Sequence, residues 1–419
     1  MKIALISYEY PPDTAIGGIA TYVRQAAHML AQRGHTVEVF AASPDRAGSE
    51  TDAGVTVHRI QPTDRQSFAT EITPIFTARH QAIQFDVAEG PDCGADAAGI
   101  GAKFPELPMV LKLHTPSYML RRVGRPPLSL SGKARFILGG LRRGQWPQLT
   151  GETYDRQRDP EYHNALRAQE IAAPCNAIKD LVRTEWELNP VLCASVPYPY
   201  IPTPSLLDIP LDTSTQRVTF IGRLEIRKGI LDLMRAIPLV LQQYPAAKFR
   251  FVGPAWPSPQ ANLNMQEYLS QKLRRYAASL EFVGAVPLDR IPEYLAQTDI
   301  CVFPSIWENF PLVCLESMAA GRGVVGSHAG GMAEMLDGGN AGLLIPPKQP
   351  KPLAEALLQL LQDPDRRQQL GGIARERVLT EYSLENIGQR QEASYQAAIT
   401  RHHKVYPPQP LASSPLQIS

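Results

Sequence analysis

The sequence predicts an α/β protein of two doubly wound domains. Three observations predict it: short apolar runs alternate with amphipathic helical stretches along the first half, the alternation stops at a Pro-rich stretch, and a second alternating series begins beyond it. The 419 residues suffice for two or three domains, and 44% hydrophobic with 20% charged residues is ordinary for a globular chain.

The first series opens with a strand at Lys2 to Ser7, which feeds a helix over Ile19 to Arg33. Strands follow at Thr36 to Ala41 and Val55 to Ile60, then a helix at Thr70 to Gln84, then strands at Asp86 to Glu89 and Met109 to His114. Parallel strands need helical crossovers, so this alternation implies a parallel sheet covered on both faces. The stretch "VPYPYIPTPSLLDIPLDTSTQ", Val196 to Gln216, is dense in Pro, Ser and Thr and predicts a moderately stiff, extended linker that carries the hinge. Strands resume at Val218 to Ile221, Phe249 to Val252, Leu280 to Val283, Ile300 to Phe303 and Gly323 to Gly326, with helices between them. A helix is expected to begin near Pro311, with proline at its first position. A last helix, from past Tyr382 to about Ile399, is followed by "VYPPQPLASSPLQIS", whose composition predicts a disordered tail.

Composition excludes several function classes. A formal net charge of +1 gives no global attraction to nucleic acid. Five cysteines, odd in number and without a CxxC pair, argue against both a disulfide framework and a zinc site. The amino terminus lacks the core of a signal peptide and no long apolar run follows, so a cytoplasmic protein is expected. A nicotinamide site is disfavoured: the loop after the first strand lacks GxGxxG, and the second strand ends without a ribose-binding acid.

Chemistry concentrates in two segments, "FIGRLEIRKG" and "VFPSIWENFPLVCLESMAAG". In the first, a strand ends at Gly222 and leaves Arg223 and Lys228 at a strand's carboxyl end, where open α/β sheets bind ligands. In the second, Glu308 lies on a loop and Glu316 inside the following helix. The N–H groups around Asn309, Phe310 and Leu312, with Pro311 at the first helical position, form a helix start, which is a ready anion site. Two cations and a helix start suit a diphosphate; two solvated surface cations are the plainer reading. Glu308 and Glu316 read otherwise as a surface acid and a cap partner, but an unpaired Glu316 in "PLVCLESMAA" would be costly without a bound partner. Gly17 and Gly18 open the first helix after a long loop, giving close backbone approach or an ordinary loop pair. His114 closes a strand and faces the carboxyl edge of its sheet.

These elements, with the later "HAGGMAEML", resemble the retaining glycosyltransferases of the GT-B fold, family 4 (glycosyltransferase group 1). The resemblance implies two Rossmann-like domains facing a central cleft. It implies an N-terminal acceptor-binding domain at 1–200, joined by helix 383–400, a linker at 201–216, a donor-binding domain at 217–382 and a tail at 405–419. It implies transfer of a hexose-type sugar from a nucleotide-diphosphate sugar, UDP or GDP, to a glycan or lipid-linked acceptor, in cell-surface polysaccharide or glycolipid synthesis. Arg223 and Lys228 would take the leaving diphosphate, Glu316 the ribose, Glu308 with residues 309 to 312 the donor sugar and diphosphate, and His114 the sugar from the other domain. No cofactor or metal is implied; the acidic pair Asp363 and Asp365 reads as a turn. A nucleotide-sugar epimerase or hydrolase, or a non-catalytic sugar-nucleotide binder, are the alternatives. Departures are "ENFP" for the usual Glu-x-Phe-Gly, Tyr198-Pro199 for Asn-Pro, and "APCN" for a Pro-Ser pair, which bear on the donor sugar and the acceptor contacts.

Residues 116–150 carry seven basic side chains (Arg121, Arg122, Arg125, Lys133, Arg135, Arg142, Arg143) and no acid. Met119, Leu120, Phe136, Ile137, Leu138, Leu141 and Trp146 accompany them. The mixture suits peripheral contact with an anionic membrane or a phosphate-bearing acceptor lipid, or a solvated helical excursion.

Overall fold

The computed structural model describes residues 1–14, 17–124 and 154–406. Two sheets form its frame. The first comprises β1 (Lys2–Ile6), β2 (Thr36–Ala42), β3 (Gly48–Asp52), β4 (Val55–Ile60), β5 (Val87–Pro91), β6 (Met109–Lys112), β7 (Glu170–Ala173) and β8 (Cys193–Ser195). Their order is β3-β4-β2-β1-β5-β6-β7-β8, parallel throughout except for the β3–β4 hairpin. The second comprises β9 (Arg217–Ile221), β10 (Lys248–Val252), β11 (Leu280–Gly284), β12 (Ile300–Phe303), β13 (Gly323–Ser327) and β14 (Leu343–Ile345), ordered β11-β10-β9-β12-β13-β14 and all parallel.

In each sheet the winding direction reverses beside the first strand, between β1 and β5 and between β9 and β12. Side chains beyond the carboxyl ends of those strands lie at the crevice where doubly wound sheets bind ligands. Gly17, His114, Arg223 and Glu308 all follow these or adjacent strands.

Several expected elements differ. The helix expected over Thr70 to Gln84 is two, Phe68–Glu71 and Thr73–Ile83, because Pro74 near the start of the second has no N–H to continue the first. Strands β3, β7, β8 and β14 were not expected; β3, "GSETD", is a polar edge strand without apolar alternation, and the others have three or four residues. Pro311 is the residue before helix Leu312–Ala319, with extended backbone (ψ 114°), and not its first position.

The Pro-rich stretch is far from a solvated spacer. Tyr198, Tyr200, Leu206 and Ile209 are buried in a core shared with Phe310, Leu315 and Tyr395, and Pro204–Leu207 is a short helix. Arginines of the second domain hold its carbonyls: Arg375 Nη2 reaches Ile209 O at 2.6 Å and Arg367 Nη2 reaches Thr213 O at 2.7 Å. The last helix, Leu384–Val405, leaves the second domain and packs on β5, β6, β7 and the helix Gly18–Gln32. Its Glu392 takes Arg33 at 2.7 Å and His35 at 2.9 Å, while Gln391 and Tyr395 reach the buried Glu89 at 2.6 and 3.0 Å.

The expected tail lies outside the described residues from 407 onward, as do residues 125–150 of the basic segment. In the described part Met119 is 3% exposed and packs with Trp186 and Leu113, so it belongs to the core and cannot meet a membrane. Among the described residues no helix is long and apolar enough to cross one.

Candidate active site

The strand β9 ends at Ile221, and the residues after it turn back over the sheet edge through the 3-10 turn Ile226–Lys228. Gly229 then starts helix Ile230–Gln243 from a left-handed backbone (φ 71°). A Cβ there would fall 1.8 Å from the carbonyl oxygen of Pro304, so the loop after β9 and the loop after β12 touch through a position only glycine can fill. The contact brings five charged side chains into one array. Arg223 Nη2 lies 3.2 Å from Glu225 Oε1, and Arg227 Nη2 lies 2.9 Å from the same oxygen. Arg227 Nη1 then lies 3.2 Å from Glu308 Oε1, which Lys228 Nζ also contacts.

The order Arg223, Glu225, Arg227, Glu308, Lys228 alternates charge and leaves one net positive. Burial alone would raise the Glu308 carboxyl, but Lys228, Arg227 and Arg223 outweigh it and hold it below its ordinary value. Glu308 is therefore a carboxylate. Arg223 is the open end of the array: its side chain is 42% exposed and its guanidinium lies 5.0 Å over the Trp256 ring.

Glu316 behaves differently from its partner in the motif. Among the described residues it makes no bond to any other candidate residue, and its Oε2 is buried without a partner. Burial raises its carboxyl to about 7. A buried acceptor left unpaired costs about 1–3 kcal/mol, so Glu316 carries a polar atom that the fold itself does not satisfy.

At the helix start the N–H groups of Asn309, Phe310 and Leu312 donate to no carbonyl among the described residues, leaving a row of free donors. The side chains of these residues do something the sequence did not indicate. Phe310 packs edge-on against Tyr198 at 5.5 Å and Tyr382 at 5.3 Å. The Asn309 amide donates to the main-chain carbonyl of His114 and, at 2.6 Å, to Thr115 Oγ1. Both act as packing across the junction of the domains.

His114 sits just past β6 and is 6% exposed. Its main-chain N–H donates to Asp92 Oδ1 at 2.8 Å, and its ring Nδ1 lies 2.5 Å from the Tyr198 hydroxyl. Burial, with Lys112 nearby, pushes the imidazole down to about 3, so the ring is neutral. Nε2 has no partner among the described residues and is available to a hydroxyl; a ring this hard to protonate is no proton donor.

Gly17 precedes helix Gly18–Gln32 with extended backbone (φ −147°). A Cβ at Gly17 would come no closer than 3.6 Å to Glu9 Oε2, and one at Gly18 would meet nothing within 4 Å. Among the described residues no steric contact requires either glycine.

The site thus joins Lys228 with Glu308 directly, Arg223 with both through Glu225 and Arg227, and His114 with Asn309 across the domains. Sequence reasoning missed Glu225, Arg227, Tyr198 and Asp92. Glu225 and Arg227 were legible as the other two charges of "GRLEIRKG"; Tyr198 lay hidden in a stretch read as linker. Missed too was Glu334, whose carboxylate in the second domain accepts the main-chain N–H groups of Asn176 (2.9 Å) and Ala177 (3.0 Å), capping helix Asn176–Glu185 of the first. The pair Asp363 and Asp365 opens a helix: Asp363 Oδ1 caps it by accepting the Arg366 N–H at 2.9 Å.

Comparison with known proteins gives two family matches. Residues 17–199 match the glycosyl transferase 4-like domain and residues 215–363 match the glycosyl transferases group 1 domain. An uncharacterized glycosyltransferase of Methanocaldococcus jannaschii, MJ1607, is 26% identical over 95% of this chain and 99% of its own length. Among solved structures, sucrose-phosphate synthase from Thermosynechococcus elongatus superposes with a TM-score of 0.70 at 22% identity, covering 95% of this chain and 99% of that one. Anabaena Alr3699/HepE in complex with UDP superposes with a TM-score of 0.65 at 18% identity, covering 95% and 100%.

Proposed function

Since the chain belongs to the group 1 glycosyltransferases, family 4, and so is an enzyme that transfers sugar from a nucleotide sugar, we propose that it is a retaining hexosyltransferase. Its donor is a UDP- or GDP-hexose, and its acceptor is a glycan or lipid-linked sugar of cell-surface polysaccharide or glycolipid synthesis. The observation that carries this reading is the five-member charge array at the crevice of the second sheet, which has an exposed arginine at one end and, next to Glu308 in the chain, the free helix-start N–H groups. HepE's binding of UDP on a similar fold supports a uridine donor first. Residues 1–200 with the last helix form the acceptor side, and 217–382 the donor side.

In the reaction the bond between the anomeric carbon and the diphosphate oxygen breaks while positive charge develops on the carbon. Arg223, Lys228 and the N–H groups of residues 309, 310 and 312 stabilise the leaving oxygens, and such preorganised groups commonly supply the largest catalytic term. Glu316 accepts a hydroxyl of the ribose, and Glu308 with the neutral Nε2 of His114 orients the hexose. The acceptor hydroxyl attacks from the side the diphosphate leaves, its oxygen bonding to the anomeric carbon and its proton passing to the departing phosphate oxygen. This route retains configuration and needs neither a protein nucleophile nor a metal.

The test is a thermal-shift and product-release screen against UDP-, GDP- and ADP-hexoses, with Arg223→Ala, Lys228→Ala and Glu316→Gln beside the wild type. Stabilisation by one nucleotide class, lost in all three variants, is expected; a folded protein indifferent to every nucleotide sugar would sink the donor assignment.

A further inference from the structure

We propose that Arg227 is a positioning residue for sugar transfer, fixing Glu225 and Glu308 in place so that Arg223 and Lys228 stand ready for the donor's diphosphate. The proposal rests on the donor-site reading above. Of the three cations in the array, Arg227 is the one that contacts both carboxylates, at 2.9 and 3.2 Å. Its Nη1 also reaches the Trp307 carbonyl at 3.3 Å, and its own main-chain carbonyl accepts the Ile306 N–H at 2.8 Å. One residue therefore ties the turn after β9 to the loop that carries Glu308.

A guanidinium suits this task because its planar fork addresses two carboxylates and a carbonyl at once; an ammonium is a point charge without that geometry. Exposure separates Arg227 from Arg223 as well. The Arg227 side chain is 14% exposed against 42% for Arg223, and what separates it from Lys228, at 17%, is its contact with both carboxylates. Without Arg227, Lys228 would be the direct ion-pair partner left to buried Glu308 and Arg223 the one left to Glu225. Each phosphate-binding cation would then be bound more tightly to a protein acid, and the two loops would lose a direct link. The favourable burial of Glu308 as a carboxylate depends in part on Arg227, so Arg227 also sets the pH below which that charge is lost.

The experiment is steady-state kinetics from about pH 3.5 to 9 for wild type, Arg227→Ala and Arg227→Lys, a range that reaches below the ordinary carboxylate value, with the hexose donor that stabilises the wild type and with Arg223→Ala in parallel. In Arg227→Ala, kcat is expected to fall about tenfold to a hundredfold while donor KM moves less than about threefold. The acid limb of kcat moves to higher pH. Arg227→Lys restores the limb, because the charge returns, but recovers only part of kcat. Should Arg227→Ala not fold, Arg227→Lys still decides: full wild-type kcat overturns the need for the fork. A wild-type kcat and acid limb in Arg227→Ala overturns the proposal, as does an acid limb in Arg227→Lys displaced as far as in Arg227→Ala. Arg223→Ala tells the two readings apart. Lost donor turnover there beside an unaffected Arg227→Ala confines the failure to Arg227, whereas intact turnover in both variants brings down the donor site itself.

Discussion

The side-chain amide of Asn309, in the second domain, donates to the main-chain carbonyl of His114 in the first, so the loop bearing Glu308 and the strand end bearing His114 meet directly. Asn309→Asp turns that donor into an acceptor facing a carbonyl oxygen. The repulsion should lower kcat/KM about tenfold to a hundredfold and enlarge the radius of gyration in small-angle scattering. Unchanged values of both would mean that the contact does not hold the domains together.

The neutral ring of His114 implies a pH dependence. Its folded value is near 3 against an ordinary 6.5, so between those values the unfolded chain takes up a proton that the folded protein does not. Its stabilising contribution is full above about 6.5 and lost as pH falls toward 3. His114→Gln, uncharged throughout, removes that loss. The urea midpoint of the wild type should drop more steeply from pH 7 to pH 5 than that of the variant; parallel curves would contradict the buried, neutral assignment.

Glu316 has the opposite sign. Its folded carboxyl, raised to about 7 from 4.5, binds a proton that the unfolded chain has released, so its contribution is full below 4.5 and lost as pH rises through 7. Glu316→Gln should melt about 2–4 °C above the wild type at pH 8, yet lose the stabilisation conferred by nucleotide sugar. A variant less stable at pH 8 would show that the carboxylate already has a partner in the free protein.

Gly330 and Gly338 separate backbone strain from steric contact. Both have positive φ, 75° and 62°, but a Cβ at Gly330 would fall 1.9 Å from the Glu308 carbonyl oxygen, while one at Gly338 meets nothing within 4 Å. Gly338→Ala should cost about 1 kcal/mol, from strain alone. Gly330 also pairs with Glu308 in an isolated parallel β-bridge, which Gly330→Ala must break, so that variant should cost more than about 2 kcal/mol together with most of the activity. Equal losses in urea titrations would refute the contact argument.

Much of this molecule was legible because its strands are buried on both faces. Ile300–Phe303 and Ile3–Ile6 read directly as apolar runs, and the ends of β6, β9 and β12 located His114, Arg223 and Glu308. Edge and very short strands were not legible: "GSETD" carries no apolar alternation, and its pairing depends on β4. The stretch around Tyr198 misled for a related reason. Prolines remove donors and predict an exposed spacer, but they do not reveal that Tyr198, Tyr200 and Ile209 find a core contributed by both domains.

The sequence by itself determined the two wound sheets and the identities of the charged groups at their carboxyl edges, since periodicity and strand ends are local properties of the chain. Tertiary structure alone decided which charges neutralise one another. Glu308 is held ionised by Arg227 and Lys228, across about 80 residues of chain, while Glu316, eight positions further on, is enclosed without a partner. Whether a carboxylate is paired depends on which loops a fold brings within about 4 Å, and separation along the chain does not encode that distance.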